Sequence, residues 1–194
     1  MATTFTDLVQ KTPHSEQATR SASQWLEEQA RTVRSVRQPE RLLTQTTDRL
    51  TNKVIVGRMY LFLYDPKTKD DLPYYDRIPL IFPFQKVDDG FYGLNLHYLP
   101  PLLRARLMDA LHTLANNTAY DDTTKLRLSY KILQSAAKFK YFKPCLKHYL
   151  NNHVRSRFLW VPANNWNSVL FLPIDRFVKA RREKVWRDSQ RMVQ

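Results

Sequence analysis

The chain is poor in glycine, in cysteine, in long apolar runs and, over its second half, in negative charge. Its 194 residues hold three glycines, Gly57, Gly90 and Gly93, and a single cysteine, Cys145. With so few positions lacking a Cβ, a loop that wraps phosphate in backbone N–H groups has little room to form. No Walker loop, GxGxxG, GxSxG or HExxH is present. One cysteine excludes an internal disulfide framework and suits a reducing cytoplasm. Flanked by Lys143, Lys147 and His148, Cys145 reads as a buried small hydrophobe rather than a nucleophile. His14, His97, His112, His148 and His153 show no metal-ligand spacing, so no metal or cofactor is expected. No stretch approaches the about 20 apolar residues that cross a bilayer. The N-terminal MATTFTDLVQ lacks the basic-then-apolar design of a secretory signal. The expectation is a soluble chain with no membrane partner and no small-molecule substrate.

The shortage of acid is local. Residues 1–52 carry 7 Lys/Arg against 6 Asp/Glu, and residues 53–100 carry 6 against 6. Residues 101–194 carry 18 against 6, so +12 of the net +13 lies there. Such asymmetry is the electrostatic footprint of a polyanion partner, usually nucleic acid, or of a protein that docks an acidic surface.

All three glycines fall in the stretch from Gly57 to Pro101, around which the chain is organised. Met59–Tyr64 (MYLFLY) has strand composition and ends at the turn signal Asp65-Pro66-Lys67. Ile78–Phe84 (IPLIFPF) is a second strand. Its Pro79 and Pro83 cannot donate to a ladder, so it belongs at an edge or is broken by a bulge. Asp88-Asp89-Gly90 makes a tight turn, with Gly90 supplying positive φ, and Phe91–Leu96 returns as a third strand. Gly93 within it signals a bulge or a close approach of another backbone. Between the first two strands, Lys67–Asp76 gathers Asp70, Asp71, Tyr74, Tyr75 and Asp76. It reads as a solvated loop whose tyrosines lie on the sheet, with Asp65 and Asp76 as turn and cap residues rather than metal ligands.

Before this stretch, residues 1–52 read as a polar helical arm. Ser15–Val36 is a helix capped by Ser15, with a narrow stripe of Trp25, Leu26, Ala30 and Val33; Pro39 ends it, and Glu40–Leu50 forms a shorter helix. Residues 53–194 read as one domain, with a helical insertion at about 101–153. Pro101 to Asn116 is a helix that buries Leu103, Leu107, Ala110, Leu111 and Leu114, with Arg104, Arg106 and Asp109 outward. A second, capped by Asp121 or Asp122, runs from Thr123 to Lys138. Phe139–His153 interleaves bases with aromatics. Two readings are open. Either cations track phosphates while rings stack on bases, or a helix started by Pro144 buries its rings and solvates its lysines. Arg155–Val161 and Ser168–Leu172 read as strands four and five, and Ile174 to Arg191 as a basic helix anchored by Phe177, Val178, Val185 and Trp186. No helix-turn-helix, zinc or basic-zipper pattern is present for reading base sequence.

The phrases MYLFLYDPKTKDDLPYYDRIPLIFPF, GFYGLNLHYLPPLLRARLMDAL, SAAKFKYFKPCLKHYL and HVRSRF together resemble a family of virion proteins from T-even-like contractile-tailed phages and cyanophages, labelled DNA end protector. The resemblance covers about residues 56–190 and leaves out the arm. It implies a virion protein, made in the host cytoplasm, that shields packaged duplex DNA ends from exonuclease, and it supplies no catalytic motif.

The expected fold is therefore α+β: a small, roughly five-stranded antiparallel sheet or barrel with an inserted helical segment, a helical arm before it and a basic helix after it. The expected function is non-enzymatic DNA binding through backbone phosphates, carried by Lys138, Lys140, Lys143, Lys147, Arg155, Arg157, Arg181, Arg182 and Arg187. The alternative is a connector of the neck, tail or baseplate that docks acidic virion subunits such as the portal.

Overall fold

The computed structural model describes residues 47–100, 140–166 and 174–192, with scattered positions between 101 and 139. Residues 1–46 of the expected arm, the strand at 168–172 and most of the two inserted helices lie outside the described residues; the end of the arm does not complete the helix expected over Glu40–Leu50, because Thr47–Arg49 is a 3-10 turn and Leu50–Thr51 a strand of the sheet. Where the insertion is described, Arg104, Leu107 and the positions from 130 to 133 are helical, and the Asp121 carboxylate accepts from the Thr124 N–H at 2.8 Å as a cap.

The architecture is mixed helix and sheet. Six strands form one antiparallel sheet: β1 (Leu50–Thr51), β2 (Met59–Leu61), β4 (Leu80–Val87), β5 (Gly90–Asn95), β6 (Leu146–Leu150) and β7 (Phe158–Val161), in the order β1-β7-β2-β4-β5-β6. Two short strands, β3 (Tyr75–Asp76) and β8 (Phe177–Val178), form a separate antiparallel ladder. One helix, α1 (Arg182–Arg191), follows.

Alternation along the strands divides the core in two. Met59, Leu61, Leu80, Phe82, Leu94, Leu159 and Val161 face one side, against Leu107, Ile132, Leu133, Trp166, Ile174 and Val185. Their neighbours Tyr60, Phe62, Ile81, Phe91, Tyr149 and Phe158 face the other. There the sheet curls around an aromatic cluster. The Phe62 ring meets Phe158 at 5.0 Å, Tyr149 at 5.3 Å and Phe91 at 6.0 Å between centroids, all edge to face. The curl is closed by backbone. Beyond β6, a 3-10 turn at Asn151–His153 leads to Val154, which bridges Tyr64 beyond β2, and the Arg155 N–H donates to the Leu63 carbonyl at 2.8 Å.

Several expectations need correction. Lys140–Cys145 is a 3-10 segment and Leu146–Leu150 a strand paired with β5 from Gly90↔Leu150 to Leu94↔Leu146, not a helix started by Pro144. Ile174 does not begin a helix. The Arg176 carbonyl accepts from the Arg77 N–H at 2.8 Å and Phe177–Val178 pair with β3, so this segment is held extended and α1 starts at Arg182. Arg104 does not face out: it is buried, with Nε donating to the Leu99 carbonyl at 2.7 Å and Nη2 to the His97 carbonyl at 3.1 Å. Burial lowers its pKa to about 10. The bulge signalled by Gly93 lies in the partner strand, where the register shifts between Pro83 and Gln85; the proline, unable to donate, sits at the break of an internal strand. Gly90 does not have positive φ, unlike Gly57 at 86°. Its missing Cβ matters because one would collide with the Tyr149 carbonyl of β6.

Two sets of substitutions test this arrangement. Phe82→Ala empties one face and Phe91→Ala the other, and each should cost about 3–5 kcal/mol in urea unfolding; an unchanged midpoint for either would remove that face from the core. Gly90→Ala should cost about 1–3 kcal/mol by pushing β5 from β6, and a neutral result would contradict the close strand approach.

Candidate nucleic-acid interface

The curl that closes the sheet also builds a cavity. A cleft of about 720 Å³ opens on the aromatic side, with Val54, Phe91 and Phe158 at its floor and Asn52, Asn151 and Ser156 along its walls. Four cations line it: Lys53, Lys86, Arg155 and Arg157. Among the described residues no acidic one does. Lys53, Lys86 and Arg157 are exposed and make no side-chain hydrogen bond or ion pair among the described residues. Among the described residues the Arg155 side chain makes a 3.4 Å bond to the Asn152 carbonyl and a 3.9 Å ion pair with Asp65, both at the surface. Ser156, between the two arginines, accepts from the Leu63 N–H at 2.9 Å, which fixes the segment that carries them. A concave site with an apolar floor, cationic rim and no carboxylate is suited to a strand of phosphates. The floor rings are buried, Phe91 to 1% and Phe158 to 6% relative exposure, so they shape the cleft and do not stack on bases.

Of the residues expected from sequence, the structure brings only Arg155 and Arg157 to this cleft. Lys138 and the side chain of Lys140 lie outside the described residues. Lys143 is exposed on its 3-10 segment. Lys147 is half-buried, its ammonium 4.0 Å from the Tyr98 ring, and desolvation holds its pKa below the usual lysine value. Arg182 and Arg187 belong to α1 and Arg181 is its N-cap; Val185 of this helix packs into the other core, across the sheet from the cleft. Arg182 is engaged there with Asp175 at 3.5 Å and Glu183 at 3.6 Å, whereas Arg181 and Arg187 are exposed. Lys53 and Lys86 were not in the expected set. Both come from the segment in which charges balance, and no linear pattern marks them.

Within the aromatic–basic interleaving at 139–153, strand β6 (Leu146–Leu150) lies between two 3-10 segments. Tyr149 is buried against Phe62, while His148 stacks on Tyr92 at 4.7 Å and lies 3.1 Å from an Asp89 carboxylate oxygen. His153 donates through Nδ1 to the Asp65 carbonyl at 2.9 Å. Cys145 is fully buried, and burial pushes its thiol well above the ordinary value, so it remains a protonated hydrophobe.

A second cluster of chemistry-bearing groups lies inside the fold. Asp76, expected as a solvated turn residue, is buried. Its carboxylate accepts from His97 Nδ1 at 2.7 Å, Asn95 Nδ2 at 3.1 Å and the N–H groups of Ile78 at 3.1 Å and Arg176 at 3.4 Å. His97 Nε2 has no hydrogen-bond partner among the described residues. Asp and His side chains are each 1% exposed, so the pair meets no solvent-borne substrate and acts as a structural hub. Burial alone would raise the Asp76 pKa, but the His97 ring and the donors around it reverse this and hold it below the usual carboxylate value.

A family model described as phage T4 terminal DNA protecting protein matches residues 6–189 of the chain. The match takes in the N-terminal arm, to which the resemblance seen in the sequence did not extend. No curated protein and no solved structure matches the chain. No helix among the described residues is long and apolar enough to cross a membrane.

The hub makes stability pH-dependent in a fixed direction. Because the folded Asp76 pKa is lowered, its contribution is complete above the unfolded value of about 4 and is lost as pH falls through the folded value. Asp76→Asn should cost about 3–5 kcal/mol at neutral pH by replacing the carboxylate on which four buried donors converge with an amide that cannot accept from all of them. It should also flatten the stability loss below about pH 4 in urea titrations. Parallel acid limbs in the two proteins would show that Asp76 does not titrate with folding.

Proposed function

The chain belongs to the phage T4 terminal DNA protecting protein family, and on that premise we propose that it is a non-enzymatic virion protein that binds duplex DNA at its packaged end and shields the terminus from exonuclease. The observation that carries this reading is the cleft lined by four cations, Lys53, Lys86, Arg155 and Arg157, and, among the described residues, by no carboxylate. Phosphate oxygens of the backbone supply the missing negative charge, and contacts to them position the protein without reading base sequence. The chemistry asked of such a site is occupation. A terminus held in the cleft is denied to a nuclease, and no bond is made or broken.

The cations of α1 have a different role in this reading. Arg181 and Arg187 lie across the sheet from the cleft, so one DNA end held in the cleft leaves them to an acidic virion neighbour or to a distant part of the same duplex.

The test compares blunt linear duplex with closed circular duplex at physiological salt, with exonuclease protection read in parallel. Tighter binding to the linear form with protection is expected, and equal binding with no protection would overturn the reading. Lys86→Ala and Arg157→Ala should each weaken end binding about fivefold and reduce the slope of log affinity against log salt by about one. Arg181→Ala and Arg187→Ala should change it less than twofold on the scale set by those contacts. The reverse ranking would move the DNA site to α1.

A further inference from the structure

A second, smaller cavity adjoins the cleft, and one residue belongs to both. It measures about 500 Å³, and Arg155 lines it together with Lys69, Arg77, Asp65, Tyr64 and Tyr75. Three cations thus face one carboxylate. Asp65 pairs with Lys69 at 3.2 Å and with Arg155 at the long distance of 3.9 Å. Both pairs are solvent-exposed, so they are weak and readily exchanged for a stronger anion. Arg77 is exposed, and its side chain makes no hydrogen bond or ion pair among the described residues.

The walls of this cavity are fixed in advance. Its Asp65 edge is tied by the Asp65 N–H donating to the His153 carbonyl at 3.1 Å and by His153 Nδ1 donating back at 2.9 Å. The loop that carries Lys69 is held by Lys179, whose ammonium donates to the carbonyls of Lys69 and Asp70 at 2.8 Å and of Leu72 at 3.2 Å. Lys179 itself adopts φ of 69°, a conformation costly for a residue with a Cβ and held here by those three bonds.

A backbone-binding cleft alone meets the same phosphodiester monoanions along the whole duplex. What a strand terminus adds is a phosphate monoester, with a second negative charge and three free oxygens. Two guanidinium groups and an ammonium offer the forked donors and the charge that such a group takes and an internal diester does not. We infer that the smaller cavity seats the terminal phosphate monoester of the DNA strand whose backbone lies in the cleft, with Arg155 spanning the two sites and Arg77 and Lys69 completing the second. This rests on the DNA-end reading above and specifies which group of the end is recognised.

The experiment uses the full chain and four blunt duplexes of one sequence, carrying a phosphate at the 5′ terminus, at the 3′ terminus, at both or at neither. Wild type should bind one of the two phosphorylated termini about tenfold tighter than the unphosphorylated end, the gain expected for a charge-assisted contact. The arm that shows the gain identifies which strand end enters. Arg77→Gln with Lys69→Gln, both solvent-accessible positions, should bring that ratio to about one while binding to the unphosphorylated end is retained within twofold. Lys86→Ala should weaken all four duplexes alike and keep the ratio. Tight, end-selective binding with no preference among the four in wild type would overturn this inference and leave the DNA-end reading standing. Absence of end selectivity would overturn both. A preference that survives in the double variant would place the phosphate elsewhere.

Discussion

The structure depends most on one buried carboxylate. Asp76 carries a charge into the interior, where an unpaired carboxylate would cost several kcal/mol, and everything that makes it tolerable comes from a different part of the chain. His97 and Asn95 reach it from the end of β5, the Ile78 N–H from the entry to β4, and the Arg176 N–H from the segment that becomes β8. Four donors converge only if the loop at 67–76, the central hairpin and the C-terminal segment are placed together. The same residues then pass the constraint outward. Asn95 Nδ2 also donates to the Tyr149 hydroxyl at 3.0 Å, fixing a ring that stacks on Phe91 at 5.5 Å in the floor of the cationic cleft. On the other side, the His97 carbonyl accepts from Trp186 Nε1 at 2.8 Å and from Arg104, whose guanidinium lies 5.3 Å from the Trp186 ring. The cleft floor and α1, on opposite faces of the sheet, are thus referred to a single polar hub.

The hub explains how a sheet without acidic neighbours at its mouth comes to hold four cations. Lys53 and Lys86 arrive from the chain flanking β2 and from the end of β4, and Arg155 and Arg157 from the approach to β7. Each of these segments is positioned by aromatic packing behind it, through Phe62, Phe91, Tyr149 and Phe158, rather than by ion pairs in front. Apolar burial at about 25 cal/mol per Å² is insensitive to the repulsion among surface cations separated by water. Carboxylates among the described residues are engaged away from the cleft, Asp76 inside the fold, Asp89 on His148 and Asp188 on Lys184.

Much of the central hairpin was legible in the sequence because its signals are local. Turn residues at Asp88-Asp89-Gly90 and prolines that cannot donate mark a hairpin and a bulge whatever else the chain does, and both are present. Family membership was legible in the phrases themselves. Strand β6 was not, because Leu146-Lys147-His148-Tyr149-Leu150 mixes apolar and basic residues on both faces. One face meets buried rings and the other meets a stacked Tyr92–His148 pair, so neither a period of two nor one of 3.6 is clean. The described part of the interleaving that suggested base stacking is a strand between two 3-10 segments, with Tyr149 buried. Asp76 and Arg104 misled for the opposite reason. Charged side chains are read as exposed unless a charged partner is visible, and here the partners are backbone carbonyls for Arg104 and, for Asp76, backbone N–H groups and the neutral Asn95 together with His97, which no charge pattern marks.

Charge statistics point to a partner but not to the surface that meets it. The excess of +12 in residues 101–194 directed attention to Lys147, Arg182 and the rest of that half, yet Lys147 lies on a tyrosine ring and Arg182 on two carboxylates. Half of the cleft's cations, Lys53 and Lys86, come from the segment that carries 6 charges of each sign. Net charge acts over distance and sets how fast a polyanion arrives, within a screening length of about 8 Å at physiological salt. Contact is set by which cations are left without a carboxylate once the chain has folded. In the proposed reading these are separate tasks carried by separate faces: the arginines of α1 add to the long-range field, and the cleft, poorer in charge but free of acid, holds the end.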